Sequence, residues 1–307
     1  MNDFFEKKYE WNEFLQYACV ANINFINISS CEKRAESTMF IKDLQRKGTC
    51  SVFSIDYHYE SDAITFQDNE YTLKQHLNQF VDMFEKNKPL LLNITAMDIR
   101  LLGALLYNIK KLGFSKVYCM YSEPLKYRKR AQTDDCEGVD RFDLYKTFRG
   151  IQPIPGYLRA NDDNLEEKWV AFLGFDGKRA EQISDRYDFP DFVPVITLPS
   201  FQPGWHNYAL QENLDLISSK GRKPEYIVAN SFLSAYEYLQ KLKDAHPNSY
   251  LRITPLGTKV NALGVLLFSL NHHEGIEILY DNPIEEGEPT IDRGNTYVFD
   301  ITDVINS

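Results

Sequence analysis

The chain has 307 residues, of which 43% are hydrophobic and 25% are charged, and its formal net charge is −10. This composition is typical of a globular protein, and the length predicts about two domains of roughly 150 residues each. Because no run approaches the roughly 18 to 20 apolar residues of a membrane span, and because the net charge is acidic, we expect neither a membrane nor duplex nucleic acid as a partner.

The start of the chain, Met-Asn-Asp-Phe-Phe-Glu-Lys-Lys, differs from a secretory signal because acids precede the lysines and no apolar segment follows. We therefore predict a cytoplasmic protein. The five cysteines are scattered and include no Cys-x-x-Cys pair, which favours reduced thiols over disulfides or a zinc site. We expect neither a metal nor a cofactor.

The first half of the chain alternates strand and helix patterns. Residues 1–20 predict an amphipathic helix, with apolar residues such as Phe5 and Trp11 on one side. Predicted strands follow at about 22–29, 51–57, 89–95 and 116–121, and predicted helices at about 32–46, 72–86 and 97–112. Such alternation implies parallel strands joined by right-handed crossovers, with helices on both faces of the sheet.

The second half repeats this order with one extra unit. Its predicted strands lie at about 168–174, 192–197, 226–229, 248–254 and 275–280, and its predicted helices at about 177–187, 208–219, 231–245 and 258–271. Charged and turn-forming residues between the halves place the boundary near residue 160, which gives lobes at 1–160 and 161–307. The tail through Tyr297-Val298-Phe299 predicts an edge strand added to the second copy.

Three short blocks recur in the same order, and this indicates an internal duplication. The blocks and their repeats are Lys33-Arg34-Ala35-Glu36 and Lys178-Arg179-Ala180-Glu181, Leu92-Asn93-Ile94-Thr95 and Leu251-Arg252-Ile253-Thr254, and Tyr121-Ser122-Glu123-Pro124 and Tyr280-Asp281-Asn282-Pro283. The predicted fold class is α/β, with two similar Rossmann-like lobes, each a mainly parallel sheet flanked by helices. We expect the ligand site in the cleft between the lobes.

The segment from Thr254 to Asn261 is the sharpest local signal for a binding site. An apolar strand ends at Thr254, Pro255 and Gly257 make a turn, and an apolar helix starts near Thr258. The amides at the start of such a helix can bind an anion, to which the Thr258 hydroxyl and the Lys259 charge can add. The alternative is that Thr258 only caps the helix and that Lys259 is solvated.

This turn resembles the ligand-binding loop of the CARF family of CRISPR-associated Rossmann-fold sensor domains, in which a Thr-Gly-Gly-Thr-Lys-like turn joins a strand to an apolar helix. The tandem arrangement also resembles the SAVED domains. The resemblance implies a cyclic or linear oligonucleotide second messenger of bacterial antiviral defence as the ligand, held across the lobe pair. The first copy departs from the motif, because Thr95, Asp98 and Arg100 lie where the second copy has the Gly-Thr-Lys turn. The two halves should therefore treat a ligand unequally.

The repeated Lys-Arg pairs and the repeated tyrosines are further candidate ligand contacts. Arg34 and the Lys178-Arg179 pair follow the first strand of their lobes, where a guanidinium can hold a phosphate; alternatively, each pairs with a neighbouring glutamate. Tyr121 and Tyr280 end the last strand of each lobe. They can stack on a base, or they can simply close the sheet edge.

Motifs of common enzymes are absent: the sequence has no Gly-x-Ser-x-Gly, no His-Glu-x-x-His and no Gly-x-Gly-x-x-Gly after the first strand. The leading hypothesis is a sensor or binding subunit for a nucleotide-type ligand that signals to a protein effector or within a homo-oligomer. One alternative is a nucleotide-processing hydrolase or transferase that uses Thr258, Lys259 and His206 in the same cleft. The other is a structural subunit of a defence complex with a vestigial site.

Overall fold

The computed structural model describes residues 4–17, 22–29, 33–48, 50–127, 145–158, 165–187, 189–272, 274–285 and 290–307. They form two compact units. The first consists of residues 1–124 together with 292–307, and the second of residues 125–291. The boundary predicted near residue 160 lies inside the second unit, and the C-terminal segment returns to the first.

Strands account for the sheets of both units. They are β1 (Lys7–Glu10), β2 (Ile23–Ile28), β3 (Cys50–His58), β4 (Ala63–Phe66), β5 (Asn69–Thr72), β6 (Leu90–Asn93), β7 (Val117–Tyr127), β8 (Tyr145–Phe148), β9 (Glu166–Phe172), β10 (Asp191–Thr197), β11 (Glu225–Ile227), β12 (Ser249–Pro255), β13 (Ile276–Ile278), β14 (Pro283–Glu285) and β15 (Thr290–Asp300).

The helices connect these strands. They are α1 (Trp11–Phe14), α2 (Thr38–Lys47), α3 (Leu77–Asp82), α4 (Ile99–Leu112), α5 (Gly177–Arg186), α6 (Trp205–Glu212), α7 (Leu214–Ser219), α8 (Phe232–Ala245), α9 (Lys259–Asn271) and α10 (Thr302–Ile305), and Lys33–Ala35 forms a short 3-10 helix. Among the helices of the described ranges, none combines the length and the apolar character needed to cross a membrane.

The sheet of the first unit has the strand order β1-β15-β7-β6-β2-β3-β4-β5. Its centre, from β7 through β6 and β2 to β3, is parallel. Strands β2 and β6 are buried at every position, as expected for parallel strands that are covered on both faces. Continuous apolar runs of this kind made these strands predictable.

Antiparallel additions extend this sheet on both sides. On one side β3, β4 and β5 form a meander, and on the other β15 lies between β7 and β1. The helix predicted over residues 1–20 is therefore wrong, since residues 7–10 are strand β1 and, within residues 4–17, only the short α1 is helical. The predicted tail strand exists as β15, but it joins the sheet of the first unit. Both features depend on the pairing of β1 with β15, which lie near opposite ends of the chain. No local sequence pattern predicts such a pairing.

The second unit contains a five-stranded sheet in the order β11-β10-β9-β12-β13. Every pairing within it is parallel. Trp169 on β9 is fully buried and packs against Phe189 and Phe192, with ring centroids 4.7 and 4.6 Å away. A separate antiparallel ribbon pairs β8 with β14.

The two sheets share one topology, as the repeated blocks predicted. The order β3-β2-β6-β7 in the first unit corresponds to β10-β9-β12-β13 in the second, and the chain visits equivalent strands in the same sequence. The extra unit predicted in the second half is β11, which adds a fifth parallel strand where the first unit has the β4–β5 hairpin. The two-lobe Rossmann-like α/β prediction is confirmed.

Glu123 on β7 gives the first unit a specific pH dependence. The side chain is buried, and burial raises its pKa to about 7, although Lys8 opposes this shift. A raised folded-state pKa provides stability that is complete below the ordinary pKa of a glutamate and is lost as the pH rises through 7.

We therefore expect the effect of Glu123→Gln on the free energy of unfolding to become more favourable between pH 5 and pH 8. This gain should exceed that of the same change at exposed Glu36 by about 1–2 kcal/mol. Chemical denaturation at several pH values would measure the difference. Parallel pH profiles for the two variants would contradict the assignment.

Candidate functional site

Each unit has a topological switch point at the carboxyl edge of its sheet. In the first unit the chain winds outward in opposite directions from β2 and β6, and in the second from β9 and β12. Ligands of open parallel sheets bind outside the carboxyl ends of the strands at such points, because the loops there diverge. Most of the predicted site residues lie at the ends of these strands, on the loops that follow them or at the start of the next helix. Tyr121, within β7, and Tyr280, after β13, lie elsewhere.

In the second unit the two switch-point loops pack backbone against backbone. A Cβ added to Gly174, in the β9–α5 loop, would overlap the carbonyl oxygen of Leu256 and would lie 3.6 Å from the Cα of Gly257. The Leu256 amide also donates to the carbonyl of Phe172. By contrast, a Cβ on Gly257 would meet its nearest atoms at 3.5 to 3.7 Å, which is ordinary contact. Gly174 is therefore required by packing and Gly257 is not.

Thr258 is the N-cap of α9, as the capping alternative predicted. Its hydroxyl accepts from the Asn261 amide at 3.1 Å and donates to the carbonyl of Ala229 at 3.0 Å. The Asn261 side chain is buried and donates to the carbonyls of Val228 and Ser231. These bonds tie the β12–α9 loop to the β11–α8 loop, so the start of α9 is held in a fixed position.

The start of α9 reaches solvent at the carboxyl edge. Gly257, Thr258 and Lys259 are all half-buried, and they precede a helix of 13 residues. Its first-turn amides and its dipole place partial positive charge there, beside the Lys259 side chain. This arrangement suits an anion, and the ligand contacts predicted for these residues remain predictions.

Arg179 is bound within the second unit. Its guanidinium forms a bidentate pair with Asp281, with Nε–Oδ2 at 2.9 Å and Nη2–Oδ1 at 2.6 Å, and both side chains are buried. The guanidinium also lies over the Tyr280 ring, 5.7 Å from its centroid. Burial raises the pKa of nearby Asp176, and Arg179 opposes that shift. Lys178 is exposed on α5.

The first unit repeats this arrangement with a different partner. Arg34 donates to the carbonyl of Ser122 at 2.7 Å and lies over the Tyr121 ring, 5.3 Å from its centroid. Arg34 and Tyr121 are buried. The repeated Arg residues thus join the first helical turn to Tyr121 on β7 in the first unit and to Tyr280, just after β13, in the second. Strand β7 lies between β15 and β6, so Tyr121 does not close a sheet edge, whereas Tyr280 follows the edge strand β13. The base stacking predicted for the two tyrosines remains a prediction.

The start of α4 differs from that of α9 in charge. Its N-cap is Asp98, whose carboxylate accepts from the Arg100 amide at 2.7 Å. The Arg100 guanidinium pairs with Asp62 through two bonds of 2.8 and 2.6 Å, and Asp62 also accepts from the Tyr57 hydroxyl. The Arg100 bonds keep the pKa of Asp62 below its ordinary value against the opposing effect of burial.

A buried amide network fills the switch point of the first unit. Asn93 donates to Asn27 at 2.9 Å and to the carbonyl of Ala35 at 3.2 Å. Thr95 is fully buried, and its hydroxyl accepts from the Ser122 amide. Among the described residues, polar groups at this edge therefore satisfy one another. The two helix starts differ in charge, because a carboxylate caps α4 and a neutral hydroxyl caps α9; unequal treatment of a ligand by the two halves remains a prediction.

Thr254 is also internal. It is fully buried, and its hydroxyl accepts from the Trp169 indole at 2.8 Å. Within the described ranges, no group of three or more His, Cys, Asp or Glu side chains is arranged to hold a metal ion.

A cluster of four aromatic residues at the carboxyl edge of the second unit was not predicted from the sequence. Phe175 lies in the β9–α5 loop, Trp205 and Tyr208 lie on α6 after β10, and Tyr127 ends β7. We call these four residues the ring cluster. His206, proposed as an acid or base, is half-buried beside Trp205. The sequence feature that could have indicated this cluster is Trp205, which directly follows a Pro-Gly turn after a predicted strand.

Fold and site define a two-unit α/β protein whose second unit has a half-buried helix start at the switch point of an all-parallel sheet. No protein-family model and no curated protein matches the chain. A solved structure with detectable similarity is the crystal structure of a periplasmic ribose ABC transporter from Conexibacter woesei DSM 14684, at 10% sequence identity and a TM-score of 0.25, covering 82% of this chain and 67% of that chain. Similarity at this TM-score supports no conclusion about function or location.

Proposed function

We propose that the protein binds a nucleotide-type anionic ligand at the carboxyl edge of the second unit, over the N-terminus of α9, and that it acts as a sensor or binding subunit. The observation that carries the proposal is the neutral Thr258 cap beside Lys259 at the switch point of an all-parallel sheet. The first unit, with Asp98 as the cap, has a negative charge where an anion would have to lie.

The resemblance to CARF and SAVED proteins extends this proposal to an oligonucleotide messenger of antiviral defence. In that role the protein would pass the signal to a protein effector or within a homo-oligomer. The fold is compatible with many functions, so the support for this extension is the Thr-Lys turn and the tandem arrangement. It requires a direct binding test.

A charge change at the α9 cap tests the proposal. Thr258→Asp and Thr258→Asn both keep a side chain that caps helices well, but only Asp adds a negative charge at the proposed anion site. We expect Asp to weaken binding at least tenfold, or about 1.4 kcal/mol, and Asn to change it little. Calorimetric titration would use cyclic and linear oligonucleotides, mononucleotides and inorganic phosphate.

Further variants separate binding from folding. Lys259→Ala should weaken binding about tenfold, whereas Lys241→Ala, the same change at an exposed position of α8, should not. Gly257→Ala has room for its methyl group, so a loss of affinity there would indicate close approach of the ligand. Equal affinities of the Asp and Asn variants, or no binding by any anion in the panel, would refute the proposal. Recovery of cleaved nucleotide would instead indicate an enzyme.

A further inference from the structure

We propose that the ring cluster, made of Tyr127, Phe175, Trp205 and Tyr208, is the surface on which a nucleobase of the ligand stacks. This inference rests on the proposed function and deepens it, because it requires a base and not only an anion. The base would lie on the rings while its phosphate faces the start of α9.

The four rings form one continuous group within the second unit. Trp205 lies 5.1 Å from Tyr127 and 5.7 Å from Phe175 between ring centroids. Phe175 lies 5.3 Å from Tyr127 and 6.4 Å from Tyr208, in edge contacts. Contacts of this kind hold the rings in place, so they form a surface that is ordered before a ligand arrives.

The exposure of these rings distinguishes them from core aromatics. Trp169, Phe189 and Phe192 belong to the interior cluster of the same unit and are at most 3% exposed. All four members of the ring cluster are half-buried. Phe175 also packs against that interior cluster. Trp205 keeps part of its surface accessible, and stacking of a base on an aromatic side chain contributes about 1–3 kcal/mol.

The ring cluster adjoins the proposed anion site through the two switch-point loops. Phe175 follows Gly174, and Thr258 follows Gly257. Because a Cβ on Gly174 would lie 3.6 Å from the Gly257 Cα, the Cα atoms of Phe175 and Thr258 are at most about 13 Å apart. A nucleotide has a flat base at one end and a phosphate at the other, so it matches an aromatic surface beside a helix N-terminus.

The experiment compares adenosine 5′-monophosphate, ribose 5-phosphate and inorganic phosphate at concentrations up to the millimolar range. Protein labelled with 5-fluorotryptophan would report on Trp205 by 19F NMR, with the resonance assigned through Trp205→Phe. We expect the nucleotide to shift this resonance and to bind about tenfold more tightly than ribose 5-phosphate. Trp205→Leu should remove that advantage, while Trp205→Phe, which keeps a ring, should retain most of it.

The possible results separate this inference from the proposed function. If ribose 5-phosphate binds as tightly as the nucleotide, and both respond to Thr258→Asp, the anion site stands and base stacking is refuted. A nucleotide that binds without shifting the Trp205 resonance also refutes stacking. If neither sugar phosphate nor nucleotide binds the wild-type protein, the proposed function fails and this inference fails with it.

Discussion

Asp281→Ala is expected to lower the free energy of unfolding by about 3–5 kcal/mol. The substitution would leave the Arg179 guanidinium, only 3% exposed, without the carboxylate that accepts two of its N–H groups. A buried ion that loses its partner retains its desolvation penalty. Denaturation followed by hydrogen exchange in peptides of the second unit would measure the loss, since one global transition cannot be assumed for two compact units.

The double variant Arg179→Met with Asp281→Leu is the matched control. It removes both charges, so it should be more stable than Asp281→Ala alone, because apolar side chains can replace a buried ion pair at little net loss. If Asp281→Ala costs less than about 1 kcal/mol, the pair does not hold Arg179 in place. That result would favour the phosphate contact predicted for this arginine.

Gly264→Ala is expected to lower the free energy of unfolding by about 2–3 kcal/mol. A methyl group at this position of α9 would overlap the carbonyl oxygen of Phe232 and would lie 2.9 Å from the Cβ of Ala235 on α8. The sign of the change in unfolding free energy is informative, because in an isolated helix alanine is more stable than glycine by about 1 kcal/mol. Destabilisation therefore requires the close approach of α8 and α9.

Ser269→Ala on the same helix is the control for Gly264→Ala. The Ser269 hydroxyl is buried and has no hydrogen-bond partner among the described residues, so its removal should be neutral or stabilising. Thermal and chemical unfolding would compare the two variants. If Gly264→Ala is as stable as the wild type, the packing described for these helices is incorrect.

The predicted parallel strands and the predicted start of α9 agree with the structure because their signals are local. A strand covered on both faces must be apolar along its whole length, as Phe25 and Ile26 illustrate, and helix starts need a capping residue such as Thr258. The repeated blocks also identified two units with one topology. These features depend on neighbouring residues, so they can be inferred without knowing the tertiary structure.

The site residues were harder to interpret because their partners are distant in sequence. Arg179 suggested a phosphate contact, yet its partner Asp281 lies 102 residues away. Arg100 likewise pairs with Asp62, 38 residues earlier. A sequence shows where a charge occurs, but the availability of that charge depends on which oppositely charged group the fold brings beside it.

The sequence by itself determined the α/β class, the two repeated units and the neutral cap at the start of α9, because each follows from local composition or from self-similarity. Tertiary structure alone decided that β1 and β15 pair in the first unit, which arginines are neutralised, and that four rings from separate segments meet beside the switch point. Ion pairing, strand pairing and ring packing act between residues distant along the chain, and only the folded backbone sets those distances.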